Sequence, residues 1–309
     1  MTSTSQASRA PPPSEARTIL LQLSGQVRHT REAFFSSASP ENVHALRGAL
    51  RRAAAGICLL GGCLPPPDAV WLDRELRWQA RRLGKTRDLD VLSGRLEARH
   101  PYTGEFRPAD LLISSARARR DAMVEKAKAE LLSARAATLA DSLEHVLLRA
   151  LGAAEGRTSP ARAISSWLNE AVSAIGTKEK RLMALGRRGR HKLRGKVRTL
   201  RYNCEICSDG SPDQVQYIEA VVSLQTALGE MNDDAVCGKL RQRLTHCGDL
   251  DKVPGLEPSL ARAHRLVLKK SWRAFDALSL PDFAQGTPSD AHSGARARGA
   301  ALQPSASAS

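Results

Sequence analysis

An all-α fold is predicted by the composition of this 309-residue chain, by the spacing of its helix breakers, and by a pair of motifs that recurs in order. Hydrophobic residues make up 42% of it, enough for a sizeable core, while aromatics are only 4%. Ala, Leu and Arg dominate, which suits helices packed through Leu and Ala rather than sheets built on Val, Ile, Thr and aromatics.

Breakers fall at Ser39-Pro40, Pro65-Pro66-Pro67, Pro101 to Pro108, Gly156 to Pro160, Gly186 to Gly189, Ser208 to Pro212 and Val253 to Pro258. The segments between them read as helices over 15–36, 41–61, 68–84, 87–99, 109–151, 160–176, 188–207, 212–228, 231–246 and 257–279. Pro160, Pro212 and Pro258 fall near helix starts, where a missing N–H is harmless and the fixed φ helps. Short connections favour antiparallel hairpins, and hairpins give bundles. Residues 1–14 and 282–309 are rich in Ser, Ala, Pro and Gly without hydrophobic periodicity and read as disordered tails.

The repeated motifs suggest a duplication. His44-Ala-Leu-Arg-Gly-Ala-Leu-Arg51 is echoed 147 residues later by His191-Lys-Leu-Arg-Gly-Lys-Val-Arg198. A second motif follows each: Leu83-Gly-Lys-Thr-Arg-Asp88 begins 39 residues after His44, and Leu228-Gly-Glu-Met-Asn-Asp233 begins 37 after His191. The expected organisation is two antiparallel helical bundles, over 15–155 and 156–281.

No apolar run approaches the length of a membrane span, and Met1 to Ser14 lacks an apolar signal-peptide centre. A cytoplasmic location with no membrane partner is therefore expected. Six cysteines include the pair Cys204 and Cys207, but no second pair stands at zinc-ribbon spacing, so reduced, packing thiols are expected and no metal site.

The formal charge of +15 requires a reason, because self-repulsion opposes a compact state unless it serves a partner. On a helix, residues three and four apart share a face. His44, Arg47 and Arg51 therefore form one column with Arg52 beside it, and His191, Arg194, Arg198 and Arg201 form another, about 15 Å long at 1.5 Å per residue. Eight Lys or Arg residues lie between Arg187 and Arg201, Lys192 among them, with no carboxylate between. Each like-charged pair costs about 0.2–0.5 kcal/mol in an isolated helix, so such columns read as an anion site. A solvated face more often mixes signs, as Glu125-Lys126 and Lys128 to Glu130 do. A third group is Arg74, Arg77 and Arg81, followed by Lys85 and Arg87. Asp73, Glu75, Asp88 and Asp90 stand near enough to neutralise part of it. Arg forks match phosphate oxygens, so a phosphate chain is a natural ligand. Beside such a ligand His44 and His191 would be drawn toward their charged forms.

These motifs, H-x-x-R-x-x-x-R-R from His44, L-G-x-x-R-D-L-D-V-L from Leu83 and H-x-L-R-x-x-x-R-x-L-R-Y from His191, resemble the conserved histidine α-helical domain (CHAD) family over roughly residues 15–280. The resemblance implies two pseudo-symmetric helical bundles whose basic residues converge on a central groove or pore that binds inorganic polyphosphate. It implies ligand contacts from His44, Arg47, Arg51 and Arg52 on one side, and from His191, Lys192, Arg194, Arg198 and Arg201 on the other. Arg77, Arg81 and Arg87 are further candidates. Association with polyphosphate granules and their proteins is implied as well. Two departures stand out: Ala53 and Ala54 replace an expected Leu-Arg, and Gly48 and Gly195 replace aliphatic residues. Close approach of the two motif helices would explain the glycines.

No Glu-x-Glu, no phosphate-binding loop ending in Gly-Lys-Ser/Thr and no Gly-x-Ser-x-Gly occurs, so an enzyme is not expected and no cofactor is implied. Nucleic acid is the main rival ligand, since counterion release rewards the same cations. It is disfavoured because the 187–201 stretch offers neither aromatic platforms nor base-reading Asn or Gln. A metal-dependent regulator that processes polyphosphate or triphosphate is the remaining alternative.

Overall fold

The computed structural model describes residues 13–99, 108–139, 143, 144, 147, 160–176, 179–245 and 259–283. Among these, every regular element is helical: α1 (Pro13–Ser36), α2 (Pro40–Leu59), a single 3-10 turn (Gly61–Cys63), α3 (Pro66–Arg82), α4 (Gly84–Arg99), α5 (Pro108–Leu131), α6 (Pro160–Ile175), α7 (Glu179–Ala184), α8 (Arg187–Cys207), α9 (Pro212–Thr245) and α10 (Ser259–Asp276). None is long and apolar enough to cross a membrane. The expected tails, apart from residues 13, 14, 282 and 283, and the loop over 101–107 lie outside the described residues.

Local sequence starts and aims the two motif helices. Ser39 caps α2 by accepting a hydrogen bond from the Asn42 amide at 3.2 Å, and Pro40 takes the first helical position. Val43, Leu46, Leu50, Ala53 and Ile57 then bury one stripe of α2. On α8 the buried stripe is Leu193, Val197, Leu200, Cys204 and Cys207, at alternating spacings of four and three. Both thiols of the C-x-x-C thus pack in the core, and burial raises their pKa, that of Cys207 to about 12.

The helices pair in chain order, α1 on α2, α2 on α3, α4 on α5, α8 on α9 and α9 on α10, while α2 also packs directly on α8. One continuous core therefore joins the halves, running from Leu20, Phe34 and Leu50 through Leu193 and Leu200 to Leu224 and Trp272. A smaller core ties Leu89, Leu92, Leu96 and Leu112 of the α4–α5 hairpin to Cys237 and Leu244 near the end of α9.

Several boundaries differ from expectation for local reasons. Helix α9 runs unbroken through Gly229, where two helices were expected; Glu230 and Met231 are good helix formers that carry it across. At the matching place in the first half the chain does break, between α3 and α4 at Leu83, and the β-branched Thr86 is fully buried there. The long helix expected over 109–151 is interrupted after Leu131, where Ser133 Oγ donates back to the Glu130 carbonyl at 2.6 Å, and helical backbone resumes over 134–139. Helix α7 was not anticipated. It is docked by Glu179, which accepts from Arg273 Nε at 2.7 Å and meets Lys269 at 3.1 Å. Residues 282 and 283 are packed rather than loose: Phe283 is buried against Tyr217, and Gln214 Nε2 donates to the Asp282 carbonyl at 2.7 Å.

The glycine expectation is overturned. A Cβ on Gly48 or Gly195 would meet nothing within 4 Å, so neither marks a close approach. The tight place is Gly56, where a Cβ would run into Leu23 Cδ1 and fall 3.6 Å from Ile206 Cδ1. Gly48→Ala and Gly195→Ala should each stabilise the protein by about 0.5–1 kcal/mol through helix propensity. Gly56→Val should destabilise it by about 1–3 kcal/mol through overpacking. Urea melts of the three variants decide the point.

A half-buried cation cluster as the candidate functional site

Contact between α2 and α8 brings the two basic columns together. Arg47 and Arg51 come from α2, Arg194 and Arg198 from α8, and the crowding of like charge lowers the proton affinity of Arg47, Arg51 and Arg198. The Arg51 guanidinium is pushed down to about 8, by burial first and then by Arg47, Arg198 and Arg194. Arg47 is pushed to about 10 by burial and Arg198, with Asp88 acting in the opposite sense. Arg198 is lowered by burial, Arg194 and Arg77. A guanidinium keeps its proton at neutral pH, so the penalty persists in the fold as unrelieved repulsion.

A pocket of about 140 Å³ opens on this cluster. Arg51, Arg77, Arg81 and Arg198 surround it, Thr199 and Tyr202 complete one wall, and Ala54, Ala55 and Ala80 form the floor. The short side chain of Ala54, a departure from the family motif, leaves this space open. Of the four guanidiniums only Arg77 is paired, by Asp73 at 2.6 Å. Arg51, Arg81 and Arg198 meet no carboxylate among the described residues.

Deeper in, the second motifs meet the first. In both copies the glycine lies under the middle arginine: a Cβ on Gly84 would be 3.9 Å from Arg47 Nη2, and one on Gly229 would be 3.8 Å from Arg194 Nε. In both copies the aspartate four residues on is the counter-charge. Asp233 lies 3.9 Å from Arg194, and Asp88 acts on Arg47. The Asp88 carboxyl is nevertheless raised, burial outweighing Arg47 while Asp233 adds repulsion. The buried Nε atoms of Arg47 and Arg194 find no acceptor among the described residues.

The rim differs between copies. His44 stands beside Arg87 and is lowered below 6.5 by partial burial, then by Arg87, Arg47 and Arg51. His191 Nδ1 instead lies 3.3 Å from Oδ1 of Asn232, the neutral residue at the place of Arg87. Lys192 is exposed and, two residues from Arg194, projects about 160° away around the helix, off the column.

Arg52 and Arg201 were expected to face ligand, but both are held by a carboxylate that sequence reasoning passed over. Glu205 accepts from Arg52 Nη2 at 2.7 Å and from Arg201 Nε at 2.6 Å. Both guanidiniums also lie against the Tyr202 ring, 5.3 and 5.9 Å from its centroid. The signal was available, since Glu205 is four residues past Arg201 on the same column. A larger depression, about 490 Å³, is bounded by Trp71, Arg74, Glu75, Arg135 and Thr138, away from the cluster. Its two arginines are already bound to Glu75, Arg135 through two hydrogen bonds of 2.6 and 3.1 Å. No group of three or more metal-ligating side chains occurs among the described residues.

The CHAD domain family model matches residues 18–242, more than half of the chain and both motif pairs. The chain belongs to the CHAD family. A crystal structure of the CHAD domain from the plant Ricinus communis is similar with a TM-score of 0.67 and 20% identity, over 91% of this chain and 96% of that one. PptA from Streptomyces chartreusis is similar with a TM-score of 0.53 and 17% identity, over 87% and 96% of the respective chains. At these identities the likeness is one of fold. No curated protein sequence matches the chain. This CHAD protein also carries α10 beyond the matched segment. Its Trp272 and Phe275 close the core over Tyr217 of α9.

Proposed function

We propose that this CHAD protein binds inorganic polyphosphate without cleaving it, in the pocket between α2, α3 and α8. The observation that carries the proposal is the pair Arg51 and Arg198, half-buried beside Arg47 and Arg194 and forming no ion pair with a carboxylate among the described residues. A phosphate chain carries charge at every unit, so it would relieve several cations at once, and Arg forks fit its oxygens. Membership of a family associated with polyphosphate and triphosphate binding supports the same reading. Arg47, Arg51, Arg194 and Arg198 form the centre. Arg77, Arg81 and Arg87 lie at the margins, and His44 and His191 at the rim.

The Tyr202 ring favours polyphosphate over single-stranded nucleic acid. Its neighbours Arg52 and Arg201 already lie against it, so a base would compete with them for the ring. The test is titration with long-chain polyphosphate at physiological salt, with duplex and single-stranded DNA as competitors at equal phosphate. Polyphosphate should bind and resist displacement; equal displacement by DNA would mean a general polyanion site. Polymer length should be unchanged after incubation with Mg²⁺ or Mn²⁺, and shortening would replace binding by processing. A cytoplasmic protein at polyphosphate granules belongs with this reading, and a tagged copy that stays diffuse in polyphosphate-rich cells would count against it.

Binding should be coupled to pH through His44. Its depressed pKa keeps it neutral in the free protein at pH 7, and an adjacent polyanion raises it, so binding takes up a proton. Affinity should climb as pH falls through the bound-state value and level off below the free one. His44→Gln should flatten the profile between pH 8 and 5.5. In the ligand-free protein the sign is opposite: the depressed pKa removes stability as pH falls below 6.5.

A further inference from the structure

We infer that Glu205 terminates the polyanion track, standing in the α8 column where a further phosphate would otherwise sit and withholding Arg52 and Arg201 from ligand. This rests on the reading of the cluster as a polyanion site.

The positions along α8 carry the argument. His191, Arg194, Arg198, Arg201 and Glu205 follow one another at spacings of three, four, three and four, so they share one face. At the first three positions the column meets no carboxylate closer than Asp233, 3.9 Å from Arg194, and His191 lies 3.3 Å from the neutral Asn232. At the fourth the charge is cancelled from within. Arg201 binds one Glu205 oxygen at 2.6 Å, and Arg52 reaches across from α2 to bind the other at 2.7 Å. One carboxylate thus takes one guanidinium from each column, in the geometry by which a phosphate would bridge them. Tyr202, which walls the pocket holding Arg51 and Arg198, lies against both guanidiniums and holds them at the carboxylate. Arg51 and Arg52 are sequence neighbours with opposite fates: the first has no carboxylate partner among the described residues, and the second is bound through Nη2 to Glu205. The track therefore stops one helical turn past Arg198. Glu205 limits how many phosphates the site takes and keeps the lower end of the α2–α8 contact closed.

Glu205→Gln keeps the shape and removes the charge, releasing Arg52 and Arg201. Long-chain polyphosphate should then bind about fivefold tighter, and log affinity should fall more steeply with log salt, by about one to two units of slope, as new ion pairs form. Arg52→Ala should leave wild-type affinity within about twofold but cancel the gain in the Glu205→Gln background. Equal or weaker binding by Glu205→Gln with an unchanged slope overturns the inference, as does an equal loss on Arg52→Ala in both backgrounds. Should Glu205→Gln fail to fold by thermal melt, Arg52→Ala and Arg201→Ala in the wild type decide alone, and a loss beyond about fivefold in either overturns it. A wild-type protein that binds no polyphosphate, or an Arg51→Met variant that binds as well as wild type, refutes the placement of the site instead.

Discussion

Arg51→Met is expected to raise the melting temperature of the ligand-free protein while removing most of its affinity for polyphosphate. Arg51 is held among Arg47, Arg194 and Arg198 at a depth that pushes its pKa down to about 8. No carboxylate among the described residues forms an ion pair with it, and Asp88 and Tyr202 act on it only through space, so most of the repulsion stands. A linear apolar side chain fits the same channel between Ala54, Ala55 and Ala80 without the charge. Replacing an unfavourable buried charge by a packed apolar group of similar length stabilises by about 1–3 kcal/mol, or about 2–10 °C for a domain of this size. Without the charge-assisted hydrogen bonds of this guanidinium to phosphate, binding weakens by about 10- to 100-fold. The two effects also separate in a ligand titration by differential scanning calorimetry. At a free concentration about 100 times Kd, polyphosphate should stabilise the wild type by about 2.7 kcal/mol, and at the same concentration the variant should barely respond. A lower melting temperature for Arg51→Met would mean that the fold uses this cation.

The alignment of the two basic columns was legible in the sequence because it depends on spacing alone. Residues three and four apart on a helix share a face whatever the tertiary structure, so His44, Arg47 and Arg51 align from sequence alone, as do their counterparts on α8. The helix breakers Ser39-Pro40, Pro65 to Pro67 and Ser208 to Pro212 were legible for the same local reason, and the structure breaks at each.

What depends on residues far apart in sequence was not legible. Glu205 stands 153 residues from Arg52, and only the crossing of α2 over α8 brings them together. Gly56, where a side chain would collide with another helix, carries no sequence mark to distinguish it from Gly48 or Gly195, which have free space around them. The shared core could not be seen either. Leu50 and Leu200 read as core positions of their own helices, but nothing local says that they join one cluster. The two Leu-Gly motifs look alike, yet one ends a helix and the other lies inside one. What they have in common is the passage of an arginine over the glycine, and that is a tertiary fact.

Charge reversal at both α8 positions, Arg194→Glu with Arg198→Glu, should have the largest effect on binding of any change to the site. It removes two central cations and places two carboxylates in the path of a polyanion, so affinity should fall by at least about 10³-fold and the salt dependence should lose about two units of slope. The two reversals differ in what they do to the fold. At position 194 a carboxylate would face Asp233 and Asp88, the latter already raised by burial and by Asp233, and should destabilise the protein. At position 198 a carboxylate would stand between Arg51 and Arg77 and relieve the repulsion that the native fold tolerates, so Arg198→Glu alone should melt higher than wild type. Calorimetric titration and thermal melts of both single variants and the double variant test this together. Retention of binding within about tenfold in the double variant would place the ligand elsewhere on this basic surface. A single Arg198→Glu variant that is more stable but blind to polyphosphate would show the pocket accepting a tethered anion in place of a diffusing one.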